Sequence, residues 1–297
     1  MGRALFEASP EARAVFRRAD EALGVALSKV CFEGPEEELR RTLNTQPAIL
    51  VHSVACYEAA RSFLPAADFA AGHSLGEYSA LVAAGALAFE DAVRVVRERG
   101  RLMYDAGVAR PGAMAAVLGL SAEQVGEACA EAGGTVVPAN LNSPSQVVIS
   151  GEVEAVERAM AACKARGAKR AIRLEVSGAF HSPLMSPAAE GLKAHLDALP
   201  IQPARIPVIA NVSGTPVQSP EEIRDALARQ VLGAVRWEPT VRWLKSAGVQ
   251  RYIELGPGKV LRGLVKTVDE EAAMLGAEDP ATLEALKQAV TAGTGAA

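Results

Sequence analysis

The stretch FAAGHSLGEYSAL, residues 69–81, narrows the possible fold more than any other part of this chain. A short apolar segment runs into a glycine turn, and helix-forming residues follow at once. With the second helical segment FEDAVRVVRERGRLMY behind it, the order is strand, glycine turn, helix, helix, an α/β pattern. The turn also has G-x-S-x-G spacing. A sharp strand-to-helix bend projects a serine hydroxyl outward, and glycines at 72 and 76 let neighbouring backbone come close. The backbone N–H of Leu75 would then face an oxyanion at the helix end that favours negative charge. Ser74 therefore reads in two ways, as a nucleophile or as a simple helix N-cap.

The rest of the chain alternates in the same manner. Residues 3–30 and AILVHSVACYEAARSFL read as helices ahead of the glycine turn. From Pro111 to about Val176 the rhythm changes: GAMAAVLGL, TVVPANLNSP, QVVISG and KRAIRLEV read as strands. Two helical segments, SAEQVGEACAEAGG with Ser121 as N-cap and EVEAVERAMAACKARG, interrupt them. The order β-α-β-β-α-β is that of a ferredoxin-like unit. The α/β pattern then resumes with IPVIANVSG, a helix around 220–232, VRWLKSAG, YIELGPG and KVLRGLVKTV. The expected organisation is a discontinuous core, 1–110 and 177–290, a ferredoxin-like subdomain at 111–176, and a flexible tail at 291–297.

Composition excludes several function classes. The 297 residues carry 31 basic and 35 acidic side chains, a net charge of −4, and only 4% aromatics. Neither a basic face nor a base-stacking platform is evident, which argues against a nucleic-acid partner. Cys31, Cys56, Cys129 and Cys163 are scattered without a C-x-x-C pair, so they read as reduced thiols of a cytoplasmic protein, not as a metal site or disulfide framework. No apolar run approaches the length of a membrane span, and the N-terminus lacks the apolar centre of a signal peptide.

A serine nucleophile needs a base, most often histidine. His52 lies mid-helix on an apolar segment and His195 on an amphipathic helix, while His73 adjoins Ser74 and would point away from it. His181, in SGAFHSPLM, follows a predicted strand and precedes Pro183. Strand-end loops are where α/β folds carry their functional groups, so elimination leaves His181 as the base. No acid between Ser74 and His181 occupies a convincing strand-end loop, which weakens the α/β-hydrolase reading.

Arg99 bears on the substrate. On its helix the apolar stripe runs through Ala88, Ala92, Val95, Val96 and Met103, and Arg99 falls on that stripe. Arg94, Arg97 and Arg101 take other faces. A guanidinium directed inward is costly unless paired. Either it meets an internal acid, or it awaits an anionic ligand such as a substrate carboxylate held bidentately.

Taken together, TQPAIL, AGHSLGEYSAL, RERGRLM, PGAMAAVLGL, NLNSPSQVVISG, SGAFHSPLM and ELGPGKVL resemble, in order and over nearly the whole chain, the malonyl-CoA:acyl-carrier-protein transacylases of fatty acid synthesis and the acyltransferase domains of polyketide synthases. The resemblance implies a hydrolase-like α/β core with a ferredoxin-like insert, and a Ser74–His181 dyad. By position, the backbone carbonyl of Gln230 would orient His181. Arg99 would hold the malonyl carboxylate, and GAFH matches the malonyl-selecting version of its motif. Gln46, His73 and Asn142 would play supporting parts. The implied reaction is ping-pong, from malonyl-CoA through malonyl-serine to the phosphopantetheine thiol of acyl carrier protein. It uses no metal or redox cofactor, and the chain is expected to act as a monomer.

The chain departs from the family at one place. The F-P-G-Q-G-S-Q type of turn after the family's first strand, whose glutamine supplies a second oxyanion N–H, has no counterpart here. The expectation is that Met1 is an internal methionine of a longer reading frame. Otherwise the product would be weak or non-catalytic. Two other readings stand beside transacylation. One is a serine hydrolase or thioesterase using the same Ser–His pair. The other is a non-catalytic carrier-protein binder, for which KARGAKR (164–170) is either a docking patch or a solvated face.

Overall fold

The computed structural model describes residues 1–176 and 178–294. Three helices, α1 (Arg3–Ala8), α2 (Pro10–Leu23) and α3 (Leu27–Glu33), stand where the sequence suggests one helix over 3–30, and a short α4 (Glu36–Arg40) follows. The break at Ser9 has a plain cause. Pro10 cannot extend α1 but suits the first position of α2, and the Ser9 hydroxyl accepts the Ala12 N–H at 3.1 Å. Gly24 in the left-handed region (φ 64°) ends α2.

Helix α5 (Thr42–Ala60) buries Ala48, Leu50, Val51, Val54, Ala55 and Cys56, and it begins six residues ahead of the predicted segment at Ala48. Pro47 inside it has no N–H for the Leu43 carbonyl. Arg97 supplies the missing donor, its Nη1 reaching that oxygen at 2.9 Å. Strand β1 (Ala70–Ala71), helix α6 (Gly76–Ala83) and helix α7 (Phe89–Ala109) complete the first core segment.

The insert forms as its order suggests. Strands β2 (Gly112–Leu118), β3 (Val136–Ser143), β4 (Gln146–Glu152) and β5 (Arg170–Arg173) pair antiparallel in the order β3-β4-β2-β5. This is the ferredoxin-like arrangement. Helices α8 (Ala122–Ala132) and α9 (Val153–Ala165) pack on one face around Val117, Val125, Ile149 and Val156. Ser121 caps α8, as the sequence predicts, and the structure adds a capping box with Gln124. Ser177, where the second core segment is expected to begin, lies outside the described residues.

That second segment carries α10 (Ser186–Ala198), β6 (Val208–Ile209), β7 (Pro216–Val217), α11 (Pro220–Gln230) and α12 (Trp237–Ser246). Strand β8 (Arg251–Leu255), α13 (Val260–Val268), β9 (Ala273–Ala277) and α14 (Pro280–Thr294) follow. The strand read across IPVIANVSG shrinks to two residues because the chain turns back at once, with Gly214 N–H bonded to the Ala210 carbonyl at 2.8 Å. β9 and α14 are not anticipated, and α14 runs on to Thr294, so the expected tail at 291–297 starts as helix. Residues 295–297 lie outside the description.

The parallel sheet of the core is present as two short pieces. β1 pairs with β6 in parallel, with β7 antiparallel beyond it, and β8 pairs with β9 in parallel. Residues 70–71 and 251–255 both line a cleft of about 1450 Å³ that also contains Ser74, Arg99 and His181. Among the described residues one isolated β-bridge joins the insert to the core. Leu141 N–H donates to the Val235 carbonyl at 2.9 Å, and Val235 N–H to that of Ala139 at 2.8 Å. This bridge brings Asn142 to the mouth of the glycine turn.

Candidate active site

The glycine turn is strained. Ser74 adopts φ 51°, a left-handed conformation unusual for a residue with a side chain. Its neighbours hold it there: Ser74 N–H donates to Asn211 Oδ1 at 2.6 Å, and Asn211 Nδ2 donates to the Gly72 carbonyl at 2.7 Å. Gly72 is required for space, because a Cβ there would sit 2.0 Å from the carbonyl of Gly76. Gly76 is not, since a Cβ at that position meets nothing within 4 Å. The sequence alone treats the two glycines alike, and the structure separates them. Gly72→Ala should therefore lower stability by roughly 1–3 kcal/mol through overpacking, whereas Gly76→Ala stays close to the parent. Thermal unfolding of the two variants side by side checks this.

Ser74 Oγ lies 2.8 Å from His181 Nε2, and His181 Nδ1 lies 2.9 Å from the Gln230 backbone carbonyl. A carbonyl can only accept, so Nδ1 carries the proton and Nε2 is left as the acceptor for the serine hydroxyl. The imidazole is 4% exposed, and its pKa is lowered to about 3, chiefly by burial and then by the charge of Arg99. It is therefore neutral, the form a base needs. His52 and His195 take the places expected of them. The first is buried on the Glu278 carbonyl at 2.7 Å, and the second lies on an exposed helix 3.5 Å from Glu98.

Arg99 is 1% exposed and reaches the same point from α7. Its Nη2 donates to Ser74 Oγ at 3.1 Å and to Gln230 Oε1 at 3.0 Å, while Nη1 donates to Gln46 Oε1. Its Nε is buried without a hydrogen-bond partner among the described residues. Every direct partner is neutral. The internal acid that the sequence allowed as an alternative therefore does not touch it. Gln46 is itself fixed by Thr42 Oγ1 at 2.8 Å. His73 points away from Ser74 and donates to Asn142 Oδ1 at 2.9 Å, its ring beside Trp237. Leu75 stands at the N-terminal end of α6, next to the hydroxyl.

Two polar residues of this site escape sequence reasoning. Asn211 clamps the turn from the β6 end, and Glu77 is buried one helical turn beyond Ser74. The only signal for Glu77 is an acid within the apolar run LGEYSALVAA. Asn211 leaves no period at all. Among the described residues no group of His, Cys, Asp and Glu is placed to hold a metal ion, and no helix is long and apolar enough to cross a membrane.

A hydroxyl bonded to a neutral, backbone-oriented imidazole, with a guanidinium beside it, is an arrangement suited to covalent acyl transfer. Residues 1–294 match the acyl transferase domain family. The chain belongs to the acyl transferase family. A malonyl CoA-acyl carrier protein transacylase of Bacillus subtilis is 50% identical over 96% of this acyltransferase and 90% of its own length. An acyl carrier protein S-malonyltransferase from Vibrio cholerae superposes with a TM-score of 0.92 at 44% identity, covering 96% of this chain and 94% of that one. A malonyl-transacylase solved in complex with a type II polyketide acyl carrier protein gives 0.93 at 44% identity, over 97% and 94%. The superpositions cover nearly the whole of this acyltransferase, the small antiparallel sheet included.

Proposed function

We propose that this acyltransferase moves a malonyl group from malonyl-CoA to the phosphopantetheine thiol of acyl carrier protein, through a malonyl ester on Ser74. The observation that carries the reading is Arg99. It is a fully buried guanidinium with only neutral direct partners, one of them the hydroxyl 2.8 Å from His181. A carboxylate on the acyl group would give the guanidinium an anion in direct contact, which none of the described residues provides.

In this reading His181 Nε2 takes the hydroxyl proton as Ser74 Oγ attacks the thioester carbonyl. The Gln230 carbonyl holds the imidazolium that forms, in the place an acid takes in a triad. Leu75 N–H donates to the oxyanion. The tetrahedral intermediate expels coenzyme A, protonated from His181. The carrier thiol then gives its proton to His181, attacks the ester and regenerates Ser74. Gln46 and Gln230 fix the guanidinium, while His73 and Asn142 tie the turn to the insert. All of these groups come from one chain, which suits a monomer. Four free, buried cysteines suit a cytoplasmic setting. The carrier protein would dock where the basic residues of 164–170 are exposed, although Arg166 is partly engaged by Glu131.

Intact mass after brief exposure to malonyl-CoA tests the reading. A malonyl adduct that vanishes in Ser74→Ala and is removed by carrier protein is the expected result. An adduct removed by water as fast as by carrier protein would favour the hydrolase. No adduct, on this chain or on one extended upstream, would favour the non-catalytic binder.

A further inference from the structure

We propose that Glu77 is the charge partner of Arg99 and that its proton follows the substrate: ionised Glu77 balances the guanidinium in the empty site, and it binds a proton when a substrate carboxylate docks on Arg99. The inference rests on the reading of Arg99 given above.

One amide joins the two groups. Gln230 Oε1 accepts from Arg99 Nη2 at 3.0 Å, and Gln230 Nε2 donates to Glu77 Oε2 at 2.7 Å and to the Ser74 carbonyl at 3.0 Å. Asn211 N–H donates to the same Glu77 oxygen at 3.0 Å. Glu77 is 1% exposed, so both charges share a dry region with an amide between them. While the site is empty, one positive and one negative charge cancel. A substrate carboxylate paired directly with the guanidinium makes two anions for one cation. Neighbouring carboxylates in such a setting do not both stay ionised. Glu77 is the one without direct contact to Arg99, so it is the one that takes up a proton from solvent.

Glu77 is poised for this. Its pKa is raised to about 7, chiefly by burial, against the lowering effects of Gln230, Asn211 and Arg99. The charged and titratable groups around it are few. Arg99 comes from α7, and Tyr78, its phenol pushed up to about 12, comes from its own helix. The loop with Asn211 and helix α11 present amides, and His181 stands behind the Gln230 backbone.

The test is calorimetric titration of Ser74→Ala protein with malonyl-CoA at neutral pH, in buffers of different protonation enthalpy. Linkage predicts uptake of roughly half a proton per site. Adding Glu77→Gln should abolish the uptake, whereas adding His181→Ala should leave it. In the wild type, KM for malonyl-CoA should rise about tenfold from pH 6 to pH 8 with kcat steady, and Glu77→Gln should flatten that rise. Equal uptake with and without Glu77, or binding with no uptake, would overturn the inference alone. Failure of the Ser74→Ala protein to bind malonyl-CoA would overturn the functional reading with it.

Discussion

His181→Ala should reduce malonyl loading of Ser74 by about 10⁴–10⁶-fold, because nucleophile and base act as one unit and removing either removes the covalent route. The geometry makes this the largest single loss. Within hydrogen-bond reach of Ser74 Oγ, His181 Nε2 is the only acceptor among the described residues, since the other partner, Arg99 Nη2, is a donor. No neighbouring carboxylate can take over the proton. Stopped-flow measurement of coenzyme A release gives the loading rate directly. A fall of less than a hundredfold would show that another group accepts the proton.

The same residue fixes the pH behaviour. Burial, with Arg99 second, keeps the native ring neutral far below the ordinary imidazole pKa of about 6.5. Burial remains when a substrate carboxylate offsets the guanidinium, so kcat should stay level through pH 6.5. Stability should not. Unfolded His181 binds a proton as pH falls below about 6.5, while the native ring does not until near 3. Its contribution is therefore complete above 6.5 and is lost on acidification between those limits. Glu77 acts with the opposite sign. Its raised native pKa favours folding most below the ordinary carboxylate value of about 4.5, and the gain is lost as pH rises towards 7.

The second large effect is selective. Arg99→Ala should lower kcat/KM for malonyl-CoA by about 10⁴-fold, the scale on which a pocket built for a polar group rejects a mismatch. Acetyl-CoA, which the parent protein should reject, should not lose in the same way. Removing the charge relieves the buried base, and a neutral acyl group needs no guanidinium. The variant's preference should narrow until malonyl and acetyl groups load at comparable rates. Competition between the two thioesters, read as the ratio of adducts on Ser74, measures this. Undiminished malonyl loading in Arg99→Ala would place the carboxylate elsewhere and remove the main support for the proposed substrate.

Local sequence determined what depends on short-range pattern. The glycine turn with Ser74, the β-α-β-β-α-β order of the insert and the inward Arg99 follow from steric and periodic rules that act within a few residues. His181 emerged because loops after strands are where α/β folds carry their functional groups. Proline and capping chemistry could have divided the N-terminal helical stretch at Ser9 and Pro10, but an apolar period that continues across the break conceals it. The parallel strands were legible as apolar runs, not as lengths, because where a strand ends depends on which neighbours pair with it.

Tertiary structure decided which distant groups meet. Gln230 lies 156 residues after Ser74, yet its backbone holds the base while its side chain joins Arg99, Ser74 and Glu77. Asn211, from the end of a two-residue strand, holds Ser74 in a conformation it would not keep alone. Neither role leaves a trace in spacing or composition, because a hydrogen bond between remote residues imposes no period on the chain. The sequence by itself thus pointed to Ser74, His181 and Arg99 as candidates. Only the packed core revealed that no carboxylate among the described residues touches the cation, and that one glutamine amide hydrogen-bonds to both Arg99 and Glu77.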